Sequence, residues 1–181
     1  MVDLLQIIEN LKVIIGDGTN TGLTRLAFVL CWIFGVSFAL MAIKQAVQST
    51  ERGPQGGGMK GPLVTFLVAV CFTAMPSFLS SMSYTIFGQM ETDPSQIFSY
   101  TPATVGGLVA EGTRGRTLLV GIATVVKFIG LIAIMRGLFF LRSAALPNAQ
   151  IQMGPGVTFV IAGICAWNFP LFLSVLENLV T

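Results

Sequence analysis

Residues 61–66 read Gly-Pro-Leu-Val-Thr-Phe, and residues 154–159 read Gly-Pro-Gly-Val-Thr-Phe. The similarity continues after one inserted residue. The segments 71–80 and 165–174 both begin with cysteine, carry a proline five residues later and end in Phe-Leu-Ser. A recurrence of this kind indicates that the chain contains two copies of one structural unit.

The segments that surround this repeat are long and apolar. Of the 181 residues, 54% are hydrophobic and 10% are charged, with a mean hydropathy of +0.82, whereas a soluble domain carries about 25% charged residues. A bilayer core of about 30 Å requires a helix of about 20 apolar residues. Four runs satisfy this length, at residues 25–44, 61–88, 117–141 and 156–180. We therefore predict an all-α polytopic membrane protein with four transmembrane helices.

Each copy of the repeat contains two of these runs, so both copies enter the membrane in the same direction and form parallel repeats. The predicted organisation is an amphipathic N-terminal helix with its linker (1–22), a first helical hairpin (23–88), an external loop (89–116) and a second helical hairpin (117–181). The N-terminal helix is predicted from a helical stripe of four apolar residues, Leu4, Ile8, Leu11 and Ile15. Because its first charged residue is acidic, we expect it to be retained rather than cleaved as a signal peptide.

Basic residues predict the orientation of the hairpins. Lys44, Arg52 and Lys60 lie between the first two runs, and Arg136 and Arg142 lie near the end of the third. By the positive-inside rule these turns face the cytoplasm, which places both termini and the external loop on the periplasmic side of a bacterial inner membrane. All five cations are candidate contacts for lipid, a lumen or a partner subunit.

Lys127 is the charge placed deepest in a run, about 15 Å from the start of the third one. A charge at the bilayer centre costs roughly 2.5 to 3.5 kcal/mol on insertion scales and therefore needs a partner. Asn168 and Glu177 in the fourth run are candidate partners within the bundle. A polar lumen, a lipid head group or a neighbouring subunit are the alternatives.

Two prolines occupy equivalent positions in the repeat, Pro76 in the second run and Pro170 in the fourth. Proline lacks a backbone donor and clashes with the preceding helical turn, so we predict a kink at each. Paired broken helices also occur in transporters, and a small transporter or channel is the least favoured of the functions considered.

The composition offers little to catalysis. The chain has no histidine, and its three cysteines lie inside apolar runs. No serine, cysteine or carboxylate pair has a base beside it, so we expect neither an enzyme nor a metal or cofactor, with phospholipid as the one candidate ligand. The net charge of +2 is too small for a general nucleic-acid binder, and no specific nucleic-acid binding is expected.

Several segments resemble the IcmC/DotE family. Residues 129–138 (IGLIAIMRGL) and 156–168, which end in Ala-Trp-Asn, are similar to its carboxy-terminal half, and residues 33–44 and 62–76 are similar to its first hairpin. The resemblance covers about residues 23–168. Neither the N-terminal helix nor Lys127 belongs to the family pattern.

The resemblance implies a small inner-membrane component of a type IVB secretion system, or of the related IncI-type conjugation systems, where the counterpart is called TraQ. The function expected is that of a non-enzymatic structural subunit, in contact with lipid and with other subunits of the apparatus, and forming a homo-oligomer. Each copy also has the plan of a conjugative pilin, two apolar helices joined by a basic turn. The alternative is therefore a pilin-like subunit of an extracellular filament with lipid between subunits.

Overall fold

The computed structural model describes residues 4–15, 22–51, 59–88, 114–146 and most of 153–175. All the regular elements in these ranges are α-helices, which confirms the all-α class. They are α1 (Leu4–Ile15), α2 (Gly22–Glu51), α3 (Lys60–Thr73), α4 (Met75–Phe87), α5 (Arg114–Ala144) and α6 (Met153–Trp167). Most of the predicted external loop, residues 89–113, lies outside the described residues.

Two helices are long and apolar enough to cross a membrane. They are the stretch Gly22–Thr50 of α2 and the stretch Val120–Ala144 of α5. The pair α3 and α4 adds a third span if the two helices count as one. Helix α6 has 15 described residues, about 22 Å, which is shorter than a bilayer core. The described residues thus have two or three helices that could span a membrane, which indicates a membrane protein, whereas four spans were predicted.

The second predicted run is not one straight helix. α3 and α4 meet at Ala74 at an angle of 96°. Pro76 is the second residue of α4, where a missing N–H breaks no helical hydrogen bond. Proline disfavours the helical conformation in the residue before it and excludes the hydrogen bond that a continuous helix would need, so the chain turns here.

A helix of the second copy ends just before Asn168, the position equivalent to Ala74, with the same pattern of backbone hydrogen bonds. Ala74 N–H donates to the Val70 carbonyl (3.0 Å), and the Ala74 carbonyl accepts from Phe78 N–H (2.8 Å). One repeat later, the N–H of Asn168 donates to the carbonyl of residue 164 and its carbonyl accepts from the N–H of residue 172, both at 3.0 Å. Helix α6 therefore ends at Trp167, three residues before the position of Pro170, which itself lies outside the described residues.

The chain forms two compact units, and each takes residues from both copies of the repeat. The first unit comprises Met1–Leu26, Ser80–Leu131 and Ile164–Thr181, and the second comprises Ala27–Leu79 and Ile132–Gly163. Five buried polar residues occur in the described ranges, and four of them belong to the first unit: Thr24, Ser83, Thr124 and Asn168. The described part of the first unit therefore has the more polar interior.

In the first unit, α1 is joined to the start of α2. The Thr24 hydroxyl donates to the Ile15 carbonyl (2.8 Å), and both residues are buried. This bond satisfies one of the carbonyls that the end of a helix leaves without an intrahelical partner. Of the predicted apolar stripe, Ile15 is buried and Leu11 is exposed, while the side chains of Leu4 and Ile8 lie outside the description.

In the second unit, four phenylalanine rings form a cluster. Its members are Phe34 and Phe38 of α2, Phe72 of α3 and Phe139 of α5, and every pair of ring centroids lies 5.2 to 6.4 Å apart. Most pairs meet edge to face, the arrangement that the aromatic quadrupole favours, at about 0.5 to 1.5 kcal/mol per pair beyond burial. The phenylalanine cluster holds three helices of this unit together.

Glycines allow these helices to approach closely. A Cβ on Gly35 of α2 would lie 2.6 Å from the Thr73 nitrogen of α3, and a Cβ on Gly137 of α5 would lie 2.8 Å from the Gly156 carbonyl of α6. Both distances are too short for real side chains. Backbone approach through small residues is the usual means by which helices associate in lipid, where apolar burial supplies no net driving force.

Candidate functional site

The polar residues of the first unit gather around the end of α6. We call Ser83, Lys127, Trp167 and Asn168 the polar cluster. Ser83 belongs to α4, Lys127 to α5 and Trp167 to the last position of α6, with Asn168 at the break that follows. Ser83, Trp167 and Asn168 are buried and Lys127 is half-buried.

Within the polar cluster, the ammonium group of Lys127 lies over an aromatic ring. Its Nζ is 4.5 Å from the centroid of the Trp167 indole. A cation over tryptophan is stabilised by the negative face of the ring, by about 2 kcal/mol when the pair is desolvated. This contact offsets part of the cost of holding the charge inside an apolar helix bundle.

Asn168 makes the second contact of the cluster. Its Nδ2 donates to the Ser83 hydroxyl, and neither side chain is exposed. Its Oδ1 is buried and accepts no hydrogen bond from the residues that the structure describes. The amide thus connects the break after α6 with α4. Asn168, one of the two predicted partners of Lys127, donates to Ser83, and its neighbour Trp167 makes the contact with the cation. Glu177, the other predicted partner, lies outside the described residues.

The second unit holds two arginines of α5 on aromatic rings. The exposed guanidinium of Arg136 lies 5.7 Å from the Phe140 centroid and 5.3 Å from the Phe159 centroid of α6. These two rings stack on each other at 5.7 Å with an interplanar angle of 10°. The stacked rings restrict the side chain of Arg136 while leaving it exposed.

A groove follows the same face of α5. Its volume is about 400 Å³, and it is lined by Ile132, Met135, Arg136, Phe139, Phe140 and Ser143. The Ser143 hydroxyl donates to the Phe139 carbonyl (2.9 Å), so its hydrogen is engaged within the helix. The groove, which we call the α5 groove, is therefore apolar apart from one guanidinium and the serine oxygen.

Arg142 lies in a different environment although it is only six residues further along α5. Its Cζ is 4.1 Å from the centroid of Phe38, a member of the phenylalanine cluster, and its Nη2 donates to the Met41 sulfur (3.1 Å). Its Nε is buried with no hydrogen-bond partner within the described part of the chain. Arg142 is half-buried and belongs to the packing of α2 against α5 rather than to an open surface.

The other predicted cations are not gathered at one place by the described contacts. Lys44 on α2 and Lys60 at the start of α3 are exposed. Lys60 borders an apolar groove of about 340 Å³ together with Met59, Leu63, Val64 and Met153. Arg52 lies outside the described residues.

Sequence reasoning did not identify the aromatic partners of the cations. Trp167, Phe159 and Phe38 each lie in an apolar run in which aromatic residues are common, so no local pattern distinguishes them. One signal was available for Trp167, because it precedes Asn168, a predicted partner of Lys127. No comparable signal points to Ser83.

Comparisons with protein-family models, with curated proteins and with solved structures return no match. The fold and the site by themselves define the class of a helical membrane protein with cations held on aromatic rings. A more particular assignment depends on the resemblance of the sequence segments and is therefore a proposal.

Proposed function

We propose that this chain is a non-enzymatic structural subunit of a type IVB secretion or conjugative DNA-transfer apparatus in a bacterial inner membrane. Its termini are periplasmic and its basic turns cytoplasmic. In this role it binds lipid and other subunits and acts through helix packing. The support comes from the resemblance to the IcmC/DotE family and from the surface of the helices.

The observation that carries the proposal is the exposure of large apolar side chains around α2. Leu40 is 66% exposed, Ile43 57%, and Leu26 and Trp32 56% each. At 3.6 residues per turn these four residues fall within an arc of about 120°, on the side of α2 opposite the buried Cys31 and Phe38. An apolar surface of this extent marks contact with a membrane or with other proteins. A subunit embedded in lipid and in an assembly provides both.

The contacts of the cations are consistent with a structural role. Lys127 lies on an indole, Arg136 on two phenyl rings and Arg142 on a third. Such contacts stabilise a charge in apolar surroundings and activate no nucleophile. They position the helices, and of these three cations Arg136 is the one at the surface.

Deletion of the gene in a host with an active type IVB or IncI-type transfer system tests the proposal. We expect transfer to be lost and to return with the full chain supplied in trans. A tagged chain should remain in the membrane fraction after a carbonate wash and should co-purify in detergent with other subunits of the apparatus. Normal transfer in the deletion strain, or a chain that is soluble without detergent, would contradict the proposal.

The pilin-like filament is the second candidate, and the packing of α5 against α6 favours it. Their contacts run antiparallel, since Leu141 meets Gly156 while Gly137 meets Val160, and the pair is closed by two glycines. This compact apolar pair has the plan of a pilin hairpin. Shearing the cells separates the candidates, because a pilin is released with the filaments whereas a resident subunit stays in the membrane.

The proposed orientation has its own test. Single cysteines at Ser49, Ser95 and Ser143, in a chain whose native Cys31, Cys71 and Cys165 are replaced, are labelled in intact cells with a membrane-impermeant maleimide. We expect labelling of Ser95→Cys before lysis and of the other two only after lysis. Labels on Ser49→Cys and Ser143→Cys from opposite sides would contradict the parallel repeat.

A further inference from the structure

We propose that Arg136 and the α5 groove bind an anionic phospholipid, with its phosphate on the guanidinium and an acyl chain along the groove. This inference rests on the membrane location in the proposed function and adds a ligand to it. It is carried by the exposure of Arg136, by the rings that hold it and by the apolar lining beside it.

Arg136 occupies a position where an unneutralised charge is costly. It lies eight residues before the end of the apolar stretch Val120–Ala144, about 12 Å along the helix axis, and its side chain is exposed rather than packed in the interior. An arginine facing hydrocarbon draws water and head groups towards itself. The sequence from 112 to 176 contains no aspartate or glutamate, so the same part of the chain supplies no counter-charge.

The two rings prepare the guanidinium for an oxyanion. The cation–ring contacts with Phe140 and Phe159 restrict the long side chain before any ligand binds, which lowers the entropy lost on binding. A guanidinium presents its N–H groups as a planar fork, and this fork matches two oxygens of a phosphate. Because Arg136 is exposed, a ligand has access to this fork.

The groove supplies the complementary apolar part of the site. It extends from Ile132 to Ser143, about 16 Å along the axis of α5. Ile132 is 49% exposed, so an apolar ligand has access to the floor of the groove. A cation beside an elongated apolar groove is complementary to a molecule with an anionic head and a long apolar tail, and a phospholipid has this form. A net negative lipid is favoured over a zwitterionic one because the latter carries its own cation.

The test uses the purified full chain in detergent and native mass spectrometry. Phosphatidylglycerol and phosphatidylcholine with identical acyl chains are titrated in parallel. We expect phosphatidylglycerol to bind more tightly, and Arg136→Gln to weaken its binding about tenfold. The matched control is Arg25→Gln, which removes an exposed arginine of α2 that does not line the groove, and should leave binding within about twofold. Equal binding of both lipids, or equal losses in both variants, would overturn the proposal.

Two further variants separate the fork from the groove. Arg136→Lys keeps the charge but loses the planar fork, and Ile132→Trp fills the groove without changing any charge. We expect each to weaken phosphatidylglycerol binding, with helical content unchanged by circular dichroism. Full binding by both variants would reduce the site to a general attraction of positive charge and would overturn the proposal.

A cross-link in native membranes distinguishes lipid from a neighbouring protein. A photoreactive phenylalanine analogue at Ile132 should give adducts of lipid mass, and these should decrease in the Arg136→Gln background. Adducts with a protein instead would assign the groove to a subunit interface and overturn the lipid proposal. The detergent titration needs no transfer apparatus, so it tests the lipid site independently of the proposed function. Loss of lipid selectivity would overturn the lipid site alone, and normal transfer in the deletion strain would overturn the apparatus assignment alone.

Discussion

The two copies of the repeat pack their paired helices differently, although they share one sequence pattern. In the second copy, Gly137 and Gly156 bring α5 and α6 into backbone contact. When residues 61–66 are aligned with 154–159, Leu63 is the counterpart of Gly156. When Gly35 is aligned with Gly130, Ala42 is the counterpart of Gly137. In the first copy these larger residues border a groove of about 250 Å³ between α2 and α3.

The difference shows that a few side-chain atoms determine whether two helices come into backbone contact. The first copy has its tight contact elsewhere, at Gly35 against Thr73 near the end of α3. The second copy has its tight contact near the start of α6. Because a helix pair in lipid is held by close packing rather than by exclusion of water, the position of a glycine determines where the pair touches. Duplication therefore preserved the helices and changed the contacts.

The largest expected effect concerns the phenylalanine cluster, to which the first copy contributes three rings and the second copy one. Phe72 is fully buried among three rings, and its counterpart in the second copy is Ala166. Phe72→Ala should lower the free energy of unfolding in mixed micelles by about 3 kcal/mol, because it removes ring contacts and leaves a cavity. The control is Phe66→Ala on the same helix, whose ring is 53% exposed, with an expected change within about 0.5 kcal/mol. Equal losses would show that the cluster adds no stability.

The next effect tests the glycine contact directly. In Gly137→Ala the new Cβ would meet the Gly156 carbonyl at 2.8 Å and the Val160 nitrogen at 2.9 Å, so we expect a loss of about 1 to 3 kcal/mol in the same assay. Gly154→Ala is the matched control, because its Cβ would meet nothing within 4 Å. The reverse exchange Ala42→Gly should cost about 1 kcal/mol or less, the usual helix-propensity difference. A stable Gly137→Ala protein would contradict close contact of the helices.

A smaller effect concerns Lys127, whose counterpart in the first copy is Trp32 when Gly35 is aligned with Gly130. A double-mutant cycle of Lys127→Met and Trp167→Leu should give a coupling energy of about 1 kcal/mol. The cycle isolates the cation–ring contact from the cost of burying the charge. The control cycle pairs Lys44→Met, an exposed residue, with the same tryptophan change and should give no coupling. Absence of coupling in both would leave Lys127 with only a packing role.

The smallest effect concerns the break before each proline, where Ala74 in the first copy corresponds to Asn168 in the second. The cycle of Asn168→Ala and Ser83→Ala should give about 0.6 kcal/mol, the average for a hydrogen bond between helices in a membrane. Ala74→Asn introduces the amide at the exposed first break and should change stability by less than about 0.5 kcal/mol. If the amide in Ala74→Asn stabilises the chain more than the amide of Asn168 does, polar contacts do not distinguish the two breaks.

Much of the fold was predictable from local sequence patterns. The long apolar runs predict the long helices α2 and α5, and the apolar spacing of residues 4–15 predicts α1, because period and polarity along a segment depend only on that segment. Pro76 predicts an interruption, and the chain turns at Ala74. The size of that turn, 96°, was not predictable, since proline disrupts a helix but tertiary packing determines the angle.

The candidate site was predicted in part. Lys127 was identified from its charge deep in an apolar run, since such a charge demands compensation wherever the run folds, and Arg136 and Arg142 were identified from the basic turn at the end of that run. Their partners were not identified, because aromatic residues are frequent in these runs and any of several could have met each cation. Arg136 and Arg142 look alike in sequence, yet one is exposed and the other packs on Phe38.

The sequence by itself determined that the chain is helical, apolar and duplicated, since these properties follow from composition, period and recurrence. Only the tertiary structure decided which faces meet. Helix α2 is apolar on all sides, so no pattern along it separates the face that packs on Phe72 from the face that carries the exposed Leu40. In lipid that choice depends on the fit of one surface to another, and the fit exists only once the helices are brought together.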